Sequence, residues 1–316
     1  MEKCMRRRSL LAATAGMMLA AGAAPRVRAQ SRLRVVASFS ILADLVRVVA
    51  GDGVEIVALV GADVDAHGFE PSPGDARRLA GADVVVTVGL GFEGWIDRLV
   101  TSSGFKGRRV VTSTGVATIR SSDHGHGHSH GHSHGHGKGS SVDPHIWQDP
   151  QRVRQMVGNI AAGLAAADPG RASAYRDNAE AYAAQLAELD AWIAAEIATI
   201  PAAKRKVVTS HDAFGYFAAR YGVKFVAPRG VNMESEPSAA DLARIIREVR
   251  REKVKVVFLE NISDPKLIEQ VAREGGARMG GRLYSDALSR ADGSAPTYLA
   301  LMRHNVVRLR DAMLAE

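Results

Sequence analysis

Histidine supplies most of the metal chemistry available to this chain. Its eleven histidines fall into two sets. Seven of them, His124, His126, His128, His130, His132, His134 and His136, alternate with glycine and serine in a single run. Imidazole is a good ligand for borderline transition metals, so a run of this kind handles metal. Glycine and serine leave its backbone free, and the run cannot hold a fixed geometry by itself. It is internal and interrupted, whereas an affinity tag is usually terminal and unbroken. An ordered site must be sought among the remaining four: His67, His145, His211 and His304.

Three of these share a setting. His67 lies in Asp65-Ala66-His67-Gly68-Phe69-Glu70-Pro71, His145 in Asp143-Pro144-His145-Ile146-Trp147, and His211 in Thr209-Ser210-His211-Asp212-Ala213-Phe214. Each follows a strand candidate or sits in a loop just before a helix. In open α/β sheets the crevice beyond the strand C-termini is where ligands bind, so three imidazoles on three such loops can meet there. Taken singly, a histidine near a helix start is usually a cap or a packed side chain. Three together, beside the seven-histidine run, point to a metal. His304 falls inside the last helix and is given no such role. A fourth ligand should be a carboxylate. Asp286 follows a short strand on an equivalent loop, and Glu70, Glu236 and Glu260 compete with it.

The elements that must carry these loops alternate. Short β-branched runs at 33–38, 54–60, 84–88 and 109–112 are separated by helical spacing at 41–50, from Ser72 or Pro73 to about 82, and at 95–101. A helix over 151–167 follows the histidine run. From Pro169 to about Ile200 no glycine after Gly170 and no proline intervenes, which predicts one helix long enough to span two domains. The second half repeats the first in kind, with strands at 206–210, 223–227, 254–259 and 282–284 and helices at 214–221, 238–251, 266–274 and 298–313. The pattern is that of α/β domains with largely parallel sheets. Glu70-Pro71-Ser72-Pro73-Gly74-Asp75 recurs as Glu236-Pro237-Ser238-Ala239-Ala240-Asp241, each before a helix and then a β-branched strand, as two related lobes would have it.

Composition narrows the function classes. At 316 residues there is room for two cored domains, and the 46% hydrophobic and 24% charged content is ordinary for globular chains. The formal charge of +7 suggests a polyanion partner, but six basic residues and one acidic residue lie within 1–29. Without them 35 basic residues face 33 acidic ones, and no nucleic acid is expected. Residues 1–29 themselves read as a cleaved signal peptide: a basic start to Arg8, an apolar stretch from Leu10 to Ala24, and Val27-Arg28-Ala29 before Gln30. Arg7-Arg8 also fits twin-arginine export. The single cysteine, Cys4, precedes the apolar stretch and leaves with it. The mature chain then has no thiol, and any metal must be held by nitrogen and oxygen.

These motifs, in this order and spacing, resemble the metal-binding solute-binding proteins of ABC importers, the ZnuA/TroA-like group, in its zinc-specific form. The marks are His67-Gly68-Phe69-Glu70-Pro71-Ser72-Pro73, the His-rich insertion, Asp143-Pro144-His145-Ile146-Trp147, Thr209 to Phe217, Glu236-Pro237-Ser238 and Tyr284-Ser285-Asp286. The resemblance implies an α/β fold of two lobes with mainly parallel sheets, joined by one long rigid helix, with the metal site between the lobes. It divides the chain into a signal peptide (1–29), a first lobe (30–168) with its His-rich loop (121–142), a linker helix (169–201) and a second lobe (202–316). It implies His67, His145, His211 and Asp286 as ligands, with the loop histidines as weak auxiliary sites. Ala66 stands where the family often has proline, which predicts a looser loop at the first ligand. Three neutral imidazoles and one carboxylate suit Zn²⁺, whereas manganese-selective members carry a carboxylate at the position of His211. The implied role is periplasmic: a monomer, not an enzyme, that captures zinc and delivers it to a membrane permease, with local movement around Asp286 rather than wide closure. A periplasmic zinc chaperone is a further candidate partner. The rival readings are a zinc buffer or chaperone working through the loop, a three-histidine zinc hydrolase, and an adhesin of the same fold.

Overall fold

The computed structural model describes residues 32–120, 142–231 and 237–315. The expected signal peptide, the loop histidines from His124 to His136, and Glu236 lie outside these residues. Among the described residues, eight strands form two parallel sheets. The first takes β1 (Leu33–Phe39), β2 (Val54–Val60), β3 (Val84–Thr87) and β4 (Arg108–Val111) in the order β2-β1-β3-β4. The second takes β5 (Lys206–Val208), β6 (Lys224–Val226), β7 (Val256–Glu260) and β8 (Arg278–Leu283) in the order β6-β5-β7-β8. The two orders are the same. In each sheet the chain reverses its winding direction after the second strand, which leaves a crevice at the C-terminal strand ends. All four residues of β3 are buried, as a parallel strand covered on both faces requires.

The helices occupy the expected places. In the first lobe they are α1 (Ser40–Ala50), α2 (Pro73–Ala80), α3 (Ile96–Ser103) and α4 (Pro150–Ala167). After the long α5 (Ala172–Ala198) come α6 (Gly215–Tyr221), α7 (Ala239–Arg251), α8 (Pro265–Gly275) and α9 (Tyr298–Leu314). The repeated Ser-x-x-Asp of the two motifs starts topologically equivalent helices. Ser72 caps α2 and Ser238 caps α7, and in both a full capping box closes with the aspartate three residues on, Asp75 or Asp241.

A short turn of 3₁₀ helix at Pro169–Arg171 precedes α5, whose 27 residues extend about 40 Å at 1.5 Å per residue. Tyr175, Ala179, Tyr182, Leu186, Leu189, Ile193 and Ile197 form its single buried stripe. That stripe packs on α1 and α4 of the first lobe and on α6 and α9 beyond it. Asp190 joins both sides: its carboxylate accepts from Gln151 Nε2 of α4 at 2.9 Å and from the Tyr221 hydroxyl of α6 at 2.7 Å, and it pairs with Arg220. One large apolar core runs from β1 and α4 through α5 to Phe214, Phe258 and α9, while a smaller one fills the far face of the second sheet around Val208, Val257 and Ile268.

The eighth strand departs from expectation. It begins at Arg278 instead of Arg282, because Gly280 and Gly281 hide it from a β-propensity reading. A Cβ at Gly280 would stand 2.5 Å from Val256 and 2.6 Å from Phe258, so the backbone passes too close to β7 for any side chain. The register shifts at the same place, between Val257 and Leu259.

Candidate metal centre

Four loops at the C-terminal ends of the strands bring four side chains to one point. His67 follows β2, His145 precedes α4, His211 follows β5 and Asp286 follows β8. The ligand atoms of all four lie within 4.8 Å of one another. Three imidazole Nε2 atoms face one carboxylate oxygen, Asp286 Oδ2, at 3.2 Å from His67, 3.6 Å from His145 and 3.0 Å from His211. A tetrahedral Zn²⁺ with bonds near 2.05 Å needs ligand atoms about 3.3 Å apart, and the three nitrogen-to-carboxylate spacings bracket that value. The side chains are 3% exposed for His67 and 0% for the other three, so a cargo held here is sealed from solvent.

Each histidine is aimed by its own loop. Asp65-Ala66-His67 and Asp143-Pro144-His145 make the same turn: the histidine N–H donates to the aspartate two residues earlier, at 2.8 Å in the first and 2.9 Å in the second. Ala66 is fully buried, and its carbonyl accepts from Trp95 Nε1 at 2.9 Å. The loop expected to be loose for want of proline is therefore pinned by other bonds. The Phe92 ring meets the His67 ring at 4.6 Å.

Two imidazoles have a buried carboxylate behind them. Asp143 Oδ1 lies 2.8 Å from His145 Nδ1, and Glu260 Oε2 lies 2.6 Å from His211 Nδ1. Glu260 also accepts the His211 N–H at 2.9 Å through its other oxygen. Such outer carboxylates fix the tautomer and leave Nε2 free to ligate. Burial pulls the His145 imidazole down, but the Asp286 charge and the Asp143 contact outweigh it and raise it to about 9. Burial likewise opposes charging of His211, yet Glu260 and Asp286 raise it well above its ordinary value. Asp286 is driven up by burial and down, more strongly, by His145 and His211, and it ends well below the usual carboxylate range. Three buried carboxylates around three imidazoles call for positive charge, as protons or as a cation.

Of the competing carboxylates, Glu260 orients a histidine, and Glu70 is exposed to solvent. His304 lies in α9, with Nε2 3.1 Å from the Arg282 carbonyl and its ring edge-on to Tyr284, away from the cluster. In the sequence, Asp143 stands out only as part of the Asp143-Pro144-His145-Ile146-Trp147 motif. The Asp-x-His spacing shared with Asp65 was the signal for its turn, and Glu260, a candidate ligand by sequence, stands behind His211 instead.

The family described as zinc-uptake complex component A, periplasmic (ZnuA), matches residues 35–312. The chain belongs to that family. The high-affinity zinc uptake system protein ZnuA of Bacillus subtilis is 32% identical over 90% of this chain and 89% of its own length. The manganese-binding lipoprotein MntA of Halalkalibacterium halodurans is 31% identical over 87% of this chain and 86% of its own. The solved structure of the periplasmic zinc-binding protein TroA of Treponema pallidum superposes with a TM-score of 0.80 at 27% identity, covering 89% of this chain and 99% of that one. The protein is thus a metal-binding substrate-binding protein of the ZnuA/TroA type, and such proteins are not enzymes. Relatives on one scaffold carry zinc in some cases and manganese in others, so the metal must be argued from the ligands. Among the described residues, no helix is long and apolar enough to cross a membrane.

Proposed function

We propose that this chain captures Zn²⁺ in the periplasm through His67, His145, His211 and Asp286 and delivers it to the membrane permease of an ABC importer. The convergence of three Nε2 atoms on one carboxylate oxygen at zinc-like spacing carries this reading. Three nitrogens favour zinc over manganese, which prefers oxygen-rich sets. Copper(II) binds nitrogen sites more tightly than zinc and must be excluded by supply and geometry. His67 and His145 come from the first lobe, and His211 and Asp286 from the second. The zinc is enclosed, so the site must open when the protein docks on the permease. Residues 1–29 direct export and are cleaved, and the mature chain works as a monomer. The histidines from His124 to His136 collect zinc weakly, since flexible ligands bind less tightly than preset ones.

The test is zinc stoichiometry and competition affinity for the mature chain beside His67→Ala and a deletion of residues 123–138. One tight site that survives the deletion and collapses in His67→Ala supports the reading. Tight binding lost with the loop and indifferent to His67 would replace it with a zinc buffer. Tighter binding of Mn²⁺ than of Zn²⁺ would keep the site and change its cargo, as the MntA relative makes worth measuring.

A further inference from the structure

Asp286 belongs by sequence to the second lobe, yet its neighbours are held from the first. The Ser285 carbonyl, one residue before it, accepts from Trp147 Nε1 at 2.8 Å and from Gln148 Nε2 at 2.9 Å. Both donors directly follow His145 and its Ile146 neighbour, and both are fully buried. Two residues after Asp286, the Leu288 N–H donates to Ser40 Oγ at 3.0 Å, and the Leu288 carbonyl accepts from the Asp63 N–H at 2.9 Å. Ser40 opens α1 and Asp63 follows β2. Against these four bonds, the second lobe meets residues 285–288 through Asn261 Nδ2, which donates to the Ala287 carbonyl at 3.2 Å, and through His211 Nε2, 3.0 Å from the Asp286 carboxylate itself. Trp147 is itself immobilised: its ring packs on Phe39 and Phe92, and its carbonyl accepts from the Tyr298 hydroxyl at 2.8 Å.

We propose that Trp147 and Gln148 are positioning residues for Asp286, fastening the carboxylate ligand of the second lobe to the first lobe beside His145. His145 and Asp286 are then one preset pair across the lobe boundary. Local movement of the Asp286 loop, the opening expected for this fold, must first break the bonds to the Ser285 carbonyl. The clamp therefore sets the rate of metal release. This inference rests on the four-ligand reading above. It adds two residues that touch no metal and act through a single backbone carbonyl.

Trp147→Phe keeps an aromatic ring and removes the N–H, and Gln148→Met keeps the length and removes the donor. Zinc release is followed by chelator capture, ligand geometry by the visible spectrum of the Co²⁺ form, and folding by the thermal midpoint of the metal-free protein, all beside Asp286→Ala. Each variant should release zinc about tenfold faster and the pair up to about a hundredfold faster, the usual range for partners that hold a ligand. The Co²⁺ spectrum of the pair should shift toward that of Asp286→Ala. A merely structural role would lower the thermal midpoint and leave the spectrum unchanged. Release within about twofold of wild type, or faster release with an unshifted spectrum, overturns the clamp. If Asp286→Ala binds zinc as wild type does, the four-ligand site itself fails, which is a separate result.

Discussion

Glu260→Gln removes one buried charge and keeps the side-chain volume, so it isolates what the carboxylate behind His211 contributes. Glu260 Oε2 is 2.6 Å from Nδ1, and the metal would sit beyond Nε2 on the far side of the ring. With a Zn–N bond near 2.0 Å, this puts the carboxylate oxygen about 6.5 Å from the metal. At an effective dielectric near 20, one unit of charge at that distance is worth about 2.5 kcal/mol. The His211 ring in the metal-free site bears a proton, because Glu260 and Asp286 hold its value well up. Zinc replaces that proton, so at the His211 position beside Glu260 the gain is one positive charge, and the proton that zinc also displaces from His145 offsets part of it. The substitution should then weaken zinc binding by up to roughly 60-fold, since about 1.4 kcal/mol is a factor of ten. The loss should grow as pH rises past the His211 value, where the metal-free ring is neutral and the full charge of the metal counts. Competition against a chromophoric chelator across a pH series measures both quantities. A loss below about threefold at every pH, or one that shrinks with rising pH, would refute the electrostatic role given to Glu260.

Proton release gives a second prediction. His145, raised to about 9, and His211, raised well above its ordinary value by its two carboxylates, both carry protons at neutral pH in the metal-free site. Their folded values exceed the ordinary imidazole value, so zinc must displace protons, and its affinity climbs with pH until both rings have titrated. Calorimetry in buffers of different ionisation enthalpy should find more than about one proton released per zinc near neutrality, and zero release would contradict the site's charge state. Gly215→Ala tests the other outer carboxylate. A Cβ there would stand 2.5 Å from Asp143 Oδ2, while Oδ1 of the same carboxylate holds the ring and the N–H of His145. Alanine normally strengthens a helix by about 1 kcal/mol over glycine. Here it should lower zinc affinity about tenfold by pushing Asp143 off the ring, without touching a ligand. Wild-type affinity in this variant would show that the His145 ring needs no such support.

The amino-acid sequence alone determined the kinds of ligand and the loops that bear them. A single early cysteine, expected to leave with the signal peptide, pointed to nitrogen and oxygen donors, and three histidines stood at strand ends or before helices. The Ser-x-x-Asp boxes at Ser72 and Ser238 and the glycine-free stretch through α5 were equally legible, because caps and helix length depend on neighbours in the chain. Periodicity likewise placed the buried valines of β3. It failed at β8, where Gly280 answers to the side chains of Val256 and Phe258 on another strand.

Only the tertiary structure decided how those residues divide their work. His67 and Asp286 meet although 219 positions separate them, and His145 owes its partner to a crossing between lobes. Among four candidate carboxylates, the strand-end loop and the family resemblance pointed to Asp286, but nothing in the sequence showed that Glu260 stands behind one of the imidazoles. Nor could it show that Trp147 and Gln148 hold the peptide before Asp286. Local pattern records which face of an element is buried. Whether a carboxylate faces Nε2 or Nδ1 depends on distances of a few ångströms between loops from different strands, and the packing of α1, α4, α6 and α9 against α5 helps to set those distances.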